Sequence, residues 1–438
     1  MSQFKILLAL ALALAAAGAG AQSWTLQQCI DHAKRQNISI KQQRVSVAQA
    51  ELDVSDAKAA RLPSVNFSTG QRYNNRPFSK SSAMVNGSEV ITVDNRNSYT
   101  GTYDISASMP LYDGGKIKNN IELKKLNTRI AELNVDAAEL TIEEEITRVY
   151  IQILYSQEAI TQDGEQIALS EAQVERARAL LDAGLLNRAD VAQLESQLAN
   201  DRYQLVADQT TLADYELQLK QLLELDGDTG ITVADPSVTT DALAPLPTKA
   251  DVYAAALNSR PEVQAKLLAL DRSTIDEKIA RAGRLPSITL SASTGTSTTT
   301  GNGNFFTQLK NQWSNGIGLT LSIPIYDRGA TRNAISRARL ERESDELALQ
   351  NTRKQLWKSI ETYHLNATGA QQRYAAAGER ERAARASYEL TSEQFRLGMK
   401  NIVELQTDKT ALSAAVQQTL QAKYTAALNS ALLRLYAR

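Results

Sequence analysis

The chain has 438 residues and a net charge of −1, enough for two or three ordinary domains and without the basic balance of a nucleic-acid or polybasic membrane binder. One Cys and two His argue against a zinc site, a disulfide framework or a Cys/His dyad. Aromatic residues make up only 5%, low for a compact enzyme core.

The N-terminus reads as a secretory signal over residues 1–21. Lys5 supplies the basic start, Ile6 to Ala17 an apolar run, and Ala19-Gly20-Ala21 a small-residue cleavage site. The run is shorter than the roughly 20 residues of a membrane-spanning helix. Cys29 follows Leu26-Gln27-Gln28, which lacks the small residues of a lipidation site, so a semi-buried thiol is expected there. No later segment is apolar enough to span a membrane as a helix. The mature chain is therefore exported, and is either soluble or held in a membrane by another route.

From residue 22 on, the chain reads as a two-fold internal repeat. Ala-Arg-Leu-Pro-Ser at 60–64 returns as Gly-Arg-Leu-Pro-Ser at 283–287, and MPLYDGGKIKNNI at 109–121 returns as IPIYDRGATRNAI at 323–335. AKRQNISIKQQ (33–43) resembles AALNSRPEVQA (255–265) in placement, and AGLLNRADVAQL (183–194) matches LGMKNIVELQTD (397–408). The first repeat, 22–225, predicts a helix, strands near 64–74 and 99–110, and a long helical hairpin over 114–225. A linker with Pro236, Pro245 and Pro247 fills 226–248. The second repeat, 249–438, predicts a helix, strands near 287–295 and 313–324, and a hairpin over 328–436.

No proline lies between Pro110 and Pro236 or after Pro324, so both regions accommodate very long helices. The first, about 116–182, would reach roughly 100 Å. The return helix carries Val191, Leu198, Leu205, Leu212 and Leu219 at a seven-residue step, with Leu194, Asp201, Asp208, Tyr215 and Leu222 beside them. That is coiled-coil spacing. Asp201 and Asp208 fit a flank that meets water or a partner, and equally a register-setting pair inside the seam.

The strands alternate. Tyr103, Ile105, Ala107 and Met109 face one way, and Ile317, Leu319, Leu321 and Ile323 do the same; the intervening residues are small or polar. Alternation fits a half-buried sheet and also a barrel strand between lipid and a wet lumen. The long helices already have coiled-coil partners, so no layer remains to cover the apolar face. The loops at 72–98 and 294–312 are long and polar. Four strands cannot close a spanning barrel, which starts at eight, and an open edge is forbidden in lipid. Several chains must therefore share one barrel. The strand-to-helix junctions at Pro110, Asp113 and Gly115, and at Pro324, Asp327 and Gly329, would lie at the membrane surface, with Pro ending each strand. Pro63 and Pro286 mark the opposite junction, helix into strand.

These motifs, in this order and twice over, resemble the TolC-like outer-membrane factor family, the exit ducts of Gram-negative efflux pumps and type I secretion systems. The resemblance spans about residues 24–436. It implies an α+β membrane protein: a homotrimer whose four strands per chain form a shared 12-stranded antiparallel β-barrel, continuous with an α-helical coiled-coil barrel in the periplasm. The linker would lie at a belt around the tunnel. The function implied is passive conduction across the outer membrane and its lipid, coupled through a periplasmic adaptor to an inner-membrane pump or ABC transporter. The helix turns, Ala183-Gly184-Leu185 and Leu397-Gly398-Met399, would be the adaptor-docking tips. Asp190, Glu404 and Asp408 would be candidates for a periplasmic gate of carboxylate rings. Relatives place two acids three residues apart after an Ile-Val pair; here Ile402-Val403 precedes Glu404, but Thr407 stands three further on, next to Asp408. Asp190 equally reads as a helix cap.

Catalytic residues, cofactors and nucleic-acid partners are not expected. His32 and His364 read as ordinary surface or packing histidines, and Glu143-Glu144-Glu145 as a solvated helix face. The rival reading is a soluble periplasmic coiled-coil adaptor or spacer.

Overall fold

The computed structural model describes residues 23–78, 82–86, 89–93, 96–227, 230–233, 244–300 and 304–437. The proposed signal and most of the central linker lie outside them. The chain divides into two compact units. One holds the residues up to Val45, Glu132–Gln264 and Leu349 onward; the other holds Ser46–Ala131 and Ala265–Ala348.

The second unit is built on a four-stranded antiparallel sheet. Its strands are β2 (Ser64–Asn75), β5 (Asn97–Tyr112), β7 (Ser287–Thr299) and β8 (Ser314–Ser322), in the order β2-β5-β7-β8. Strands β2, β5 and β7 run longer than expected, and β8 is shorter. Pro110 does not end β5: it pairs opposite Thr289, and the register then shifts so that Tyr112 pairs with Ile288. A bulge accommodates the missing N–H of proline. At the other junction β8 stops at Ser322, short of Pro324.

The two loops read as long and polar hold structure of their own. Within 72–98, β3 (Ser82–Asn86) pairs antiparallel with β4 (Glu89–Val93), because MV and VITV are β-formers at a spacing a hairpin allows. Within 294–312, helix α7 (Phe305–Asn311) is capped by Asn304, whose side chain accepts from the Phe306 N–H.

Helices feed this sheet. The 22-residue helices α2 (Ile38–Ala59) and α6 (Pro261–Ala282) each end in the same turn before Leu-Pro-Ser. Leu62 N–H bonds to the Ala59 carbonyl at 2.8 Å, and Leu285 N–H to that of Ala282 at 3.0 Å. Pro63 and Pro286 then forbid the helical conformation to the residue before them, and the strands start at Ser64 and Ser287.

The first unit is helical apart from a short parallel pairing of β1 (Ser23–Trp24) with β6 (Thr232–Val233). The 67-residue helices α3 (Lys116–Asp182) and α8 (Ala330–Arg396) enter it, and α4 (Arg188–Leu223) and α9 (Ile402–Tyr436) return. Helices α1 (Leu26–Gln36) and α5 (Lys249–Ser259) complete it. Its largest core joins Cys29, Ile30 and Ala33 to Ile146, Tyr150 and Ile153 of α3 and to Leu219 and Leu223 of α4. Cys29 is fully buried, and burial pushes its thiol up to about 12. His32 stacks edge-on against Trp24, centroids 5.2 Å apart.

The Glu143-Glu144-Glu145 run is not a solvated face. Glu143 is buried and paired with Lys34 at 3.0 Å. Glu144 lies 3.9 Å from the buried Arg260, whose guanidinium stacks on Tyr436 at 3.6 Å. Only Glu145 is exposed. The cations that draw these acids in are far away in sequence. Among the described residues no helix is long and apolar enough to cross a membrane.

Candidate functional site

Registering the four strands produces two faces of opposite character. On one, Val65 lies beside Ala107, Ala292 and Ile317, Met109 beside Leu290 and Leu319, and Ile288 beside Leu321. On the other, Ser64, Ser108, Ser291 and Gly318 form one row, and Asn66, Ser106, Ser293 and Gly316 the next. The apolar face is bare: Phe67 is 66% exposed and Ile317 85%. Leaving such side chains in water forgoes roughly 1.5–3 kcal/mol each.

Sequence reasoning missed the aromatic residues at both ends of this face. Tyr73, Tyr99 and Trp313 stand at the loop end, and Tyr112 and Tyr326 at the helix end, all largely exposed. The bulge after Pro110 brings Tyr112 onto the apolar face, beside Ile288. Tyr99 donates its hydroxyl to Gln71 Oε1 at 2.6 Å, and Tyr73 to Asn97 Oδ1 at 3.0 Å. The signal was available: Tyr brackets the alternating segments, and Tyr112 and Tyr326 sit inside the duplicated motif.

The acid of that motif is a helix cap. Asp113 Oδ1 accepts from the Gly115 N–H at 3.0 Å and Oδ2 from the Ile117 N–H at 2.6 Å. Asp327 does the same for Gly329 at 3.0 Å and Thr331 at 2.7 Å. The Thr331 side chain first, and then the Thr331 and Gly329 N–H groups, hold the Asp327 carboxyl below its usual range. Gly115 and Gly329 both adopt positive φ, +85° and +80°. The preceding residues differ. Gly114, at φ +72°, has no room for a side chain, because a Cβ would approach the Ala282 carbonyl and Leu285 Cβ to 2.9 Å; Arg328 at φ +56° carries one.

In the helical unit, the two hairpin turns are built alike. Gly184 and Gly398 take φ +72° and +76°. The Gly184 N–H bonds to Leu181 O at 2.9 Å and the Leu185 N–H to Leu180 O at 2.8 Å; Gly398 and Met399 bond to Phe395 O at 3.0 Å and Gln394 O at 2.9 Å. These are Schellman endings. Ala183 is exposed, and Leu185, Leu397 and Met399 are 73%, 58% and 64% exposed. Beneath them the tips share a core in which Ile402 of α9 packs with Val191 and Leu194 of α4 and Val174 and Ala177 of α3.

Asp190 and Glu404 sit at the matching position of the return helices. Each is the third residue of a capping box, its carboxylate accepting the backbone N–H of Asn187 or Asn401 and its own N–H donating to that asparagine's Oδ1. Glu404 also pairs with Lys400; that bond first, and the Asn401 N–H second, lower its carboxyl. Asp408 is engaged differently, accepting from Ser387 at 3.1 Å and Thr391 at 2.6 Å across to α8.

One cluster near the tips was visible in the sequence only through Asp201, with no sign of its partners Lys409 and Ser170. Lys409 is buried, with its ammonium 3.3 Å from Asp201 Oδ2 and the Ser170 hydroxyl between them, accepting from Lys409 and donating to Asp201. Burial lowers the Lys409 ammonium, and Asp201 partly restores it. Asp201 is thus a polar residue inside the seam. Farther along, burial, a hydrogen bond with Asp208 and the charges of Asp208 and Asp201 push Asp163 up to about 7.

Comparison with known proteins gives these features a context. The model of the family described as "Outer membrane efflux protein" matches residues 29–224 and 252–437, leaving out the central linker. The outer membrane efflux protein BepC of Brucella suis biovar 1 (strain 1330) is 24% identical over 407 residues, 91% of this chain and 82% of BepC. The pyoverdine export outer membrane protein OpmQ of Pseudomonas putida is 23% identical over 398 residues, 90% of this chain and 81% of OpmQ. The solved structure of CusC superposes with a TM-score of 0.79 at 16% identity, covering 94% of this chain and 91% of that one.

Proposed function

The chain belongs to the outer membrane efflux protein family, and on that premise we propose how its geometry serves as an exit duct in the outer membrane of a Gram-negative cell. Membership in a family of outer-membrane proteins sets aside the soluble-adaptor reading. The observation that carries the mechanism is the four-stranded sheet: one apolar face, one hydroxyl-and-glycine face, and outer edges of β2 and β8 that pair with no described residue.

Three copies closed edge to edge give a 12-stranded barrel. The apolar faces then meet lipid and the polar faces line a wet lumen. From Tyr103 to Tyr112 the strand covers about 30 Å, or about 23 Å across a membrane at a tilt near 40°, which matches the apolar band of a spanning barrel and puts Tyr112 and Tyr326 in its inner aromatic belt. The capped junctions at Asp113 and Asp327 turn the chain at the inner membrane surface into the helical tunnel. The two halves of the chain, with matched junctions and matched Schellman tips, fit a duplicated ancestral unit.

The tips, with exposed Leu185, Leu397 and Met399 over a packed base, dock the helical hairpin of a periplasmic adaptor, which connects the duct to an inner-membrane transporter. Asp190 and Glu404 become rings of three carboxylates at the tunnel mouth, and Asp408 latches α9 to α8. Transport is passive, with energy supplied by the inner-membrane partner. The test is the mass of the mature protein from envelopes, by light scattering corrected for bound detergent. Three chain masses, with extraction dependent on detergent, are expected. A monomer released without detergent removes the shared barrel.

A further inference from the structure

The four strands of the main sheet carry one acid, Asp104, and one base, Arg72. Both lie on the polar face. Asp104 stands opposite Ser68 on β2 and Gly295 on β7, and Gly295 opposite Ser314 on β8. Arg72 pairs with Thr100, four residues farther toward the loop end. No hydrogen bond or ion pair among the described residues engages the Asp104 carboxylate, which is exposed. Its neighbours on the face, Thr102, Ser106, Ser293 and Ser314, are hydroxyls without charge.

Gly295 makes room for this group. A Cβ at 295 would run into Asp104 Oδ1 and come within 2.9 Å of the Tyr103 carbonyl. The carboxylate therefore lies across bare backbone. On the opposite face the flanking rows hold Phe67 and Ile105, and Thr69 and Tyr103, so Asp104 sits at the depth of the apolar band rather than in the loops.

We propose that Asp104 sets the charge preference of the barrel lumen, favouring cationic over anionic solutes at that depth. The inference rests on the trimeric barrel proposed above, in which Asp104 becomes a ring of three. Twelve strands about 4.8 Å apart and tilted near 40° give a barrel of about 12 Å radius, so the carboxylates lie about 10 Å from the axis. Three charges at that distance in water, screened over about 10 Å at 0.1 M salt and partly offset by the Arg72 ring about 10 Å along the axis, concentrate monovalent cations on the axis roughly 1.5-fold and deplete anions by as much. At 1 M salt the Debye length falls to about 3 Å and the preference disappears. The duct thereby suits cationic and zwitterionic small molecules and retards polyanions.

The experiment reads the local potential directly and so does not depend on whether the far end of the duct is open. Ser106→Cys places a thiol on the same face, about 7 Å along the strand from Asp104; the native Cys29 is fully buried. The purified protein is treated with a cationic or an anionic methanethiosulfonate, and the ratio of the two modification rates is measured with Asp104 present and with Asp104→Asn. The ratio is expected to fall by about tenfold at 0.01 M salt and about fourfold at 0.1 M, and to be unchanged at 1 M. Asp104→Glu should keep it and Asp104→Lys invert it. An unchanged ratio at 0.01 M in a particle of three chain masses overturns the role of Asp104 alone. A thiol at 106 that neither reagent reaches overturns the wet lumen itself, and a single chain mass on the same sample removes the ring together with the barrel.

Discussion

Lys409 offers a sharp test of what holds the tips together. Its side chain is 2% exposed, and that of Asp201 is 9%. Replacing one member of a buried pair strands the other, typically at a cost of about 3–5 kcal/mol. In Lys409→Met the Asp201 carboxylate keeps the Ser170 hydroxyl and the Gln197 amide, 2.7 Å away, so the lower end, about 3 kcal/mol, applies. That raises the local opening equilibrium by roughly 150-fold. Adding Asp201→Leu removes the stranded charge, and apolar replacement of a whole buried pair is often neutral or stabilising. Amide hydrogen exchange over residues 402–412 of the detergent-solubilised protein is the assay. The single variant should exchange about a hundredfold faster and the double variant much closer to wild type. Exchange within threefold of wild type for Lys409→Met, or a double variant equal to the product of the singles, would refute the idea that this pair couples α4 to α9.

Gly114→Ala should depress the yield of membrane-inserted protein far more than Gly329→Ala, because only the first Cβ meets neighbouring atoms; the second carries just the left-handed backbone penalty of about 1–2 kcal/mol. Equal yields would discount the packing of Gly114 on Leu285. Asp113→Ala should weaken the start of α3 by about 1 kcal/mol, visible as faster exchange of the Ile117 amide, and Asp327→Ala should act likewise on Thr331; protection unchanged in both would dismiss the capping assignment. The raised Asp163 carboxyl gives a pH dependence with a definite sign. The fold favours its protonated form, so its contribution is fully present below the ordinary carboxylate range and is lost as pH rises through about 7. Thermal midpoints of the wild type should fall between pH 5 and pH 8, and Asp163→Asn should shrink that fall; an identical slope in both would mean that Asp163 does not titrate there.

What was legible in the sequence is what the backbone enforces locally. Asp113 and Asp327 were legible as the point where a strand turns into a helix, though not as its caps, and Gly184 and Gly398 as the points where a helix reverses. Alternation over 102–109 and 316–323 sorted the two faces before any partner strand was known. The misreadings involve partners remote in sequence. Glu143 looked solvated because Lys34, more than a hundred residues away, was not visible as its counterion. Lys409 sits in an unremarkable stretch of α9, and nothing local reveals that Asp201 and Ser170 converge on it. The hairpin of β3 and β4 escaped notice because its strands are only five residues long and flanked by Ser and Asn.

The outer edges of β2 and β8 have a consequence for how this protein comes to exist. Each edge presents a row of N–H and C=O groups that hydrocarbon will not tolerate and that water leaves open to any passing strand. A single chain therefore has no stable resting place on either side of the problem. In the shared barrel proposed above, insertion and edge pairing would proceed together, so the rate of productive assembly would depend on how many chains arrive at one spot. Expression level, as well as the intrinsic stability of the sheet, would then bear on how much of that barrel forms.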